Sequence, residues 1–342
     1  MSWLIFSIVY SIVAGLLAEA SIPQTTQKQA ITVVVLDSSK RPVRELAVER
    51  IRISGIAAVA VHAEPLSGPR HIVLLLDLSQ SSRNSGIRWK NMVDTCKRFL
   101  KEVQPDDWIA LHAFGENHRV LASFTHESSQ IEQKLDALRA ETEQDLKSSY
   151  GLGTNVATAL QNTLASERPE LCFGDVVVVV SDGEYSNLDG RKLQKIHQDL
   201  IDAGIRVYLL RTAETIQHLR LTPGMPLSVE REIELGALKR QLRAQQELVV
   251  PVGGAVLSPG EPIRGFPDFV DHPFKTERIS GASKALALLI RSAHKLELDI
   301  EEPVRKPRSI TMELAGDGDE KKDRLELQYP RWVMPPRTVL KN

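Results

Sequence analysis

Apolar residues along this chain fall into two alternating patterns. Residues 72–76 (IVLLL) are apolar without a break, as in a strand covered on both faces. Trp89, Met92, Val93, Cys96, Phe99, Leu100 and Val103 then recur at helical spacing, and Pro105 marks the stop. Residues 108–114 (WIALHAF) and 120–124 read as strands around a turn with Gly115 and Asn117. Ile131, Leu135 and Leu138 line one helix face. A glycine loop, 151–155, leads into another helix with Val156, Leu160 and Leu164 on one face. Residues 176–180 are all valine, and β-branching there favours a central parallel strand. A helix over 193–201, a cap at Gly204 and a strand over 205–210 follow. Strands alternating with helices predict an α/β domain, Rossmann-like and doubly wound on a mostly parallel sheet.

The flanks read differently. Residues 31–36 (ITVVVL) form a β-rich run, and 43–61 suggest further strands. After Arg211 the pattern loosens into a charged helix over 230–248 and a Pro- and Gly-rich segment, 251–273, read as an irregular loop. A last helix over 282–293 precedes alternating strands at 295–300, 309–314 and 324–329, with Asp317-Gly318-Asp319 as a turn. The division that follows is a linker and β segment at 21–69, the α/β domain at 70–293, a second β segment at 294–329 and a mobile tail at 330–342. The β segments from both chain ends form a small flanking β subdomain.

Residues 3–17 are uncharged and apolar, and Ala18-Glu19-Ala20 fits a small-x-small cleavage site. The run is short for a membrane span, which needs about 20 residues, so 1–20 read as a signal peptide. No Lys or Arg precedes it, and a buried N-terminal helix or an uncleaved anchor is the other reading. The expected location is periplasmic or secreted, with membrane attachment only through that segment. A net charge of -1 gives no electrostatic case for nucleic acid. The two cysteines, Cys96 and Cys172, read as buried free thiols rather than a disulfide.

Three polar clusters fall where such a sheet places its ligands, at the carboxyl ends of the strands. The first apolar strand ends in Asp77-Leu78-Ser79-Gln80-Ser81, and the valine strand in Ser181-Asp182-Gly183-Glu184. Between them Thr154 follows the glycine loop. Alternate residues Asp77, Ser79 and Ser81 can point to one spot. Two carboxylates with neutral hydroxyls suit Mg²⁺, or Mn²⁺, with water in its first shell. Each piece alone has a plainer reading: turn residues for the first and last, a helix N-cap for Thr154.

D-x-S-x-S after the first strand, a glycine-preceded Thr, and S-D-G after a valine strand resemble von Willebrand factor A domains over about residues 70–212. The resemblance implies a metal-ion-dependent adhesion site. Ser79 and Ser81 coordinate directly in such a site, Asp77 and Asp182 directly or through water. Thr154 is the ligand that engages or releases. The run VVVLDSSKRPVREL, the Val252-Gly253-Gly254 step and the closing strands also look like exported bacterial proteins called VWFA-related acidobacterial domain proteins. The 251–273 loop departs from that pattern.

The function expected is therefore a divalent-cation-dependent, extracytoplasmic protein-binding module, not an enzyme. Its metal engages an Asp or Glu of a protein partner, with no small-molecule cofactor. Two alternatives stay open: a hydrolase using Glu184 or His112 beside the metal, and a structural scaffold with a non-functional site. No zinc spacing joins His112, His126, His197 and His218, and the glycine loop lacks a Walker lysine.

Overall fold

The computed structural model describes residues 26–37, 41–43, 46–83, 88–185, 188–212, 229–259, 274–276, 279–315 and 325–335. The signal-peptide segment, the 317–319 turn and His218 lie outside the described residues. Among the described residues no helix is long and apolar enough to cross a membrane.

The N-terminal strands are β1 (Gln27–Leu36), β2 (Ile51–Ser54) and β3 (Ala58–Pro65). The α/β region begins with β4 (His71–Asp77), the short α1 (Gln80–Arg83) and α2 (Arg88–Leu100). It continues through β5 (Trp108–Phe114), β6 (His118–Thr125), α3 (Ser128–Ala140), α4 (Glu143–Tyr150) and α5 (Val156–Glu167). Next come β7 (Val176–Ser181), α6 (Gly190–Ala203), β8 (Arg206–Arg211) and α7 (Val229–Val249). The last part holds β9 (Val256–Pro259), β10 (Phe274–Thr276), α8 (Ile279–Arg291), β11 (Ala293–Ile300), β12 (Thr311–Leu314) and β13 (Glu326–Gln328).

The central sheet has the order β10-β9-β8-β7-β4-β5-β6. Every neighbouring pair is parallel except β5 and β6, which run antiparallel at one edge. The valine strand β7 lies between β4 and β8, with Ile72 opposite Val176 and Leu76 opposite Val180. Side chains alternate between two cores, as a strand's period of two requires. Leu74, Leu76, Val176, Val178 and Val180 meet Met92, Cys96, Phe99, Leu135 and Leu286 on one face. Val73, Leu75, Val177 and Val179 meet Val156, Leu160, Leu193, Ile196, Leu200 and Leu248 on the other. The result is the doubly wound α/β fold expected.

The two chain ends build an antiparallel sheet, β13-β1-β11-β3, with Pro42–Val43 also paired to β1. β12 pairs with β2 beside it. β1 serves both cores: Ile31, Val33 and Val35 enter the small β core, while Val34 and Leu36 enter the α/β core. The flanking β layer and the α/β layers thus share one strand.

Four expectations need correction. The 251–273 segment is not irregular throughout, because its Val256–Pro259 stretch is a strand paired in parallel with β8 and β10. Gly254 allows this approach; a Cβ there would lie 1.7 Å from the Val207 carbonyl oxygen. The tail from Pro330 is also not free at its start. Pro330 bridges to Val252, Trp332–Val333 pairs with Arg308–Ser309, and Val333 and Met334 are buried. Helix α4 is an addition, begun by a capping box between Thr142 and Asp145. Finally, both cysteines are free, but only Cys96 is buried; Cys172 is exposed.

Candidate metal centre

Parallel strands β4 and β7 end side by side, and their last residues start the site. Asp77 closes β4 and is fully buried. Its Oδ1 accepts from the Ser79 backbone N–H at 2.9 Å, and its Oδ2 accepts from the Ser181 hydroxyl at 2.6 Å. Ser181 in turn accepts from the Gly183 N–H at 2.9 Å, so the S-D-G turn is fixed to the first loop. Gly183 takes φ +78°, and a side chain there would collide with Gln245.

The hydroxyls converge as the alternation suggested, although Ser81 sits on the short α1 and not on a continuing strand. Ser79 Oγ lies 3.1 Å from Ser81 Oγ and 3.4 Å from Ser82 Oγ. The Ser81 hydroxyl also lies beside Asp182 and draws its carboxyl down. Asp77, Ser79, Ser81 and Asp182 therefore belong to one connected cluster.

Asp182 is the unbalanced member. Its Oδ1 accepts from the Glu184 N–H at 3.0 Å, while Oδ2 is buried without a hydrogen-bond partner. Burial, then the neighbouring Asp77 and Glu184 charges, push its carboxyl up to about 7. Burial also raises Asp77. Two buried carboxylates side by side, one with a bare oxygen, make a place where a cation replaces lost solvation. The donor set of two carboxylates and two hydroxyls fits a hard, oxygen-preferring divalent ion. It is not a His, Cys or carboxylate cage; among the described residues no group of three or more such side chains could hold a metal.

Thr154 comes from a separate loop. It is half-buried on the 151–155 loop and lines a recess with Glu116, Asn155, Leu188 and Asp189. It is not the helix cap either: Asn155 caps α5, accepting from the Thr158 N–H. Two bonds tie its loop to the first one. Gln80 N–H donates to the Leu152 carbonyl at 3.4 Å, and the Arg83 guanidinium donates to the Gly151 carbonyl. Arg83 also donates from Nε to the Ser79 carbonyl at 3.2 Å.

Arg83 is one of several site residues that sequence patterns did not single out. Arg88 Nη1 lies 3.1 Å from Glu184 Oε1 and 3.6 Å from Asp182 Oδ2, and donates to the Ser81 carbonyl at 3.3 Å. Behind the carboxylates, Gln245 donates to the Gly183 carbonyl at 2.8 Å, and buried Arg211 is drawn electrostatically to Asp182 and Glu184. A charged residue two places after D-x-S-x-S was the available signal for Arg83. Nothing local marks Gln245, which sits on a charged helix.

His112 belongs to a different network. It is buried on β5, with Nε2 3.0 Å from Glu167 Oε1 and Nδ1 3.1 Å from His118 Nε2. Burial and His118 push it down to about 3.

Residues 72–184 match the family model of the von Willebrand factor type A domain. The chain carries a von Willebrand factor type A domain. No curated protein matches the chain. Among solved structures it is similar to an aerotolerance-related membrane protein from Bacteroides fragilis NCTC 9343, at 16% identity, 65% of this chain, 98% of that one and a TM-score of 0.42. A von Willebrand factor type A protein from Catenulispora acidiphila gives 10% identity, 90% and 75% coverage and a TM-score of 0.43. The manganese-loaded TRAP protein of Plasmodium vivax gives 13%, 78%, 96% and 0.42. Likenesses at this level carry no weight for function. The type A match spans β4 through Glu184, and so contains every candidate ligand.

Proposed function

We propose that this type A domain binds Mg²⁺ or Mn²⁺ through Asp77, Ser79, Ser81 and Asp182, with Thr154 as the ligand that joins from the neighbouring loop. The bound ion leaves a coordination position for an Asp or Glu of a protein partner. Export through residues 1–20 places that encounter outside the cytoplasm. The observation that carries this reading is the buried Asp182 Oδ2, which no hydrogen bond satisfies, beside buried Asp77.

The protein's own residues divide the work. Asp77 and Asp182 supply charge, and Ser79 and Ser81 supply neutral oxygens. Ser181, Arg83 and Gln245 hold the loops that present them. The ion, when bound, supplies a Lewis-acidic point that captures a carboxylate. The hydrolase alternative gains nothing here. Glu184 is engaged by Arg88, and His112 is occupied by Glu167 and His118. A binding module and a scaffold differ in one measurable way. Calorimetric titration of the chain with Mg²⁺ and Mn²⁺, beside Asp77→Ala, is expected to show one site that the variant lacks. A folded wild type that binds neither ion defeats the proposal. Partner capture that persists in folded Asp77→Ala supports the scaffold instead.

A further inference from the structure

Three arginines surround the carboxylate pair, and they are not equivalent. Arg83 is buried and committed to the Ser79 and Gly151 carbonyls. Arg211 is buried behind the cluster at the end of β8. Arg88 is the first residue of α2, and its side chain is 39% exposed. Its Nη1 reaches both ligand-bearing loops at once: the Ser81 carbonyl on one, Asp182 Oδ2 and Glu184 Oε1 on the other.

We propose that Arg88 is a resident cation of the metal centre, bridging its two loops and competing with a divalent ion for Asp182. The inference rests on the metal-centre reading above and adds what sets its affinity.

The argument is electrostatic and steric together. Asp182 Oδ2 has no hydrogen-bond donor, and Arg88 at 3.6 Å is too long to be one. The guanidinium therefore offsets charge at Asp182 without filling the oxygen's coordination space. Its closer bond, at 3.1 Å, is to Glu184. A half-exposed arginine can withdraw towards solvent while keeping Glu184, which buried Arg83 and Arg211 cannot do. Its positive charge still opposes an incoming dication. For a unit charge a few ångströms from a dication in a water-like dielectric, that opposition is worth about tenfold in affinity. Glu184 is then an anchor that parks the guanidinium beside the site, and not a metal ligand.

The test is calorimetric titration of Mg²⁺ and Mn²⁺ into wild type, Arg88→Met, Arg88→Lys and Asp77→Ala, with thermal melting of each in EDTA. Methionine keeps most of the aliphatic length and removes the charge. Arg88→Met is expected to bind either ion about tenfold more tightly than wild type. Its melting temperature in EDTA should be lower, because the carboxylate pair has lost its standing counter-charge. Arg88→Lys keeps the charge and should stay near the wild-type affinity. Tighter binding in Arg88→Met than in a wild type that itself binds supports the proposal; a folded wild type that binds neither ion defeats the metal-centre reading and this proposal with it. If wild type binds, Asp77→Ala does not, and folded Arg88→Met matches wild type or binds more weakly, the Arg88 proposal is overturned while the metal centre stands. If neither wild type nor Arg88→Met binds, both fail.

Discussion

Metal capture at Asp182 is expected to release a proton, and the size of that effect follows from the site. An aspartate with an ordinary value of 3.8 is held at about 7 by burial and by the Asp77 and Glu184 charges. Below pH 7 the metal-free protein therefore carries a proton that a divalent ion must displace. Each pH unit below 7 lowers metal affinity about tenfold, and binding at pH 5 should be about a hundredfold weaker than at pH 7.5. The groups facing the carboxyl are Asp77, Glu184, Tyr185, Arg88 and Arg211. Calorimetry in buffers of different ionisation enthalpy counts the protons released. A dissociation constant that stays flat between pH 5 and 7 refutes the reasoning.

The same shift has a consequence for stability without metal. The folded value lies above the unfolded one, so the native state binds more protons between about pH 4 and 7. Stability therefore falls as pH rises through that window, by at most about 4 kcal/mol from this carboxyl. Saturating Mg²⁺ should cancel the fall. Asp182→Asn should cancel it too, making the metal-free protein more stable than wild type at pH 8 while abolishing metal binding. An Asp182→Asn protein less stable than wild type in EDTA at pH 8 contradicts the premise that burial of the Asp182 charge is only partly offset by its neighbours.

Other consequences can be checked separately. Gly254→Ala sets a methyl group 1.7 Å from the Val207 carbonyl and should cost about 3 kcal/mol or more in urea unfolding, since backbone must move on both sides. Thr142→Ala removes the α4 capping box and should cost about 1 kcal/mol by the same assay. His112 should show no protonation between pH 5 and 8 by nuclear magnetic resonance, because its folded value is about 3. Since that value lies below the unfolded 6.5, the network's stabilising effect is present above pH 6.5 and is lost as pH falls from there towards 3.

What sequence could reveal depended on how local the physical cause was. β4 and β7 were legible because strands buried on both faces need unbroken apolar runs. α4 was not, because only Leu146 and Tyr150 face inward, too few to set a period. β9 was hidden by the glycines and prolines around it, although Gly254 is there so that the backbone can reach β8. The tail's pairing is illegible for a different reason. Trp332–Val333 gains its strand from Arg308–Ser309, a pairing no local pattern encodes. The same division runs through the site. Asp77 and Asp182 stand at or just past strand ends, where such a sheet gathers polar groups, and Ser79 and Ser81 follow on the next loop and helix. Arg83, Arg88 and Gln245 matter only because separate loops meet.

The distribution of those contacts separates a firm half of the centre from a lighter one. Asp77 and Ser181 terminate central strands and bond each other at 2.6 Å, so moving them means disturbing the parallel sheet. Thr154 lies on the glycine loop, which also contacts the sheet edge through Asn155 N–H to the Gly115 carbonyl at 3.1 Å. Its links to the Asp77–Ser81 loop are a 3.4 Å backbone bond from Gln80 and the Arg83 guanidinium. Arg83 holds both loops through carbonyl oxygens, not through the ligand side chains. It can therefore set the distance of Thr154 from the cluster without entering the coordination shell. On the proposed reading, Arg83 and Gln80 are the links between Thr154 and the Asp77–Ser81 loop, while Asp77 and Asp182 stay where the sheet puts them.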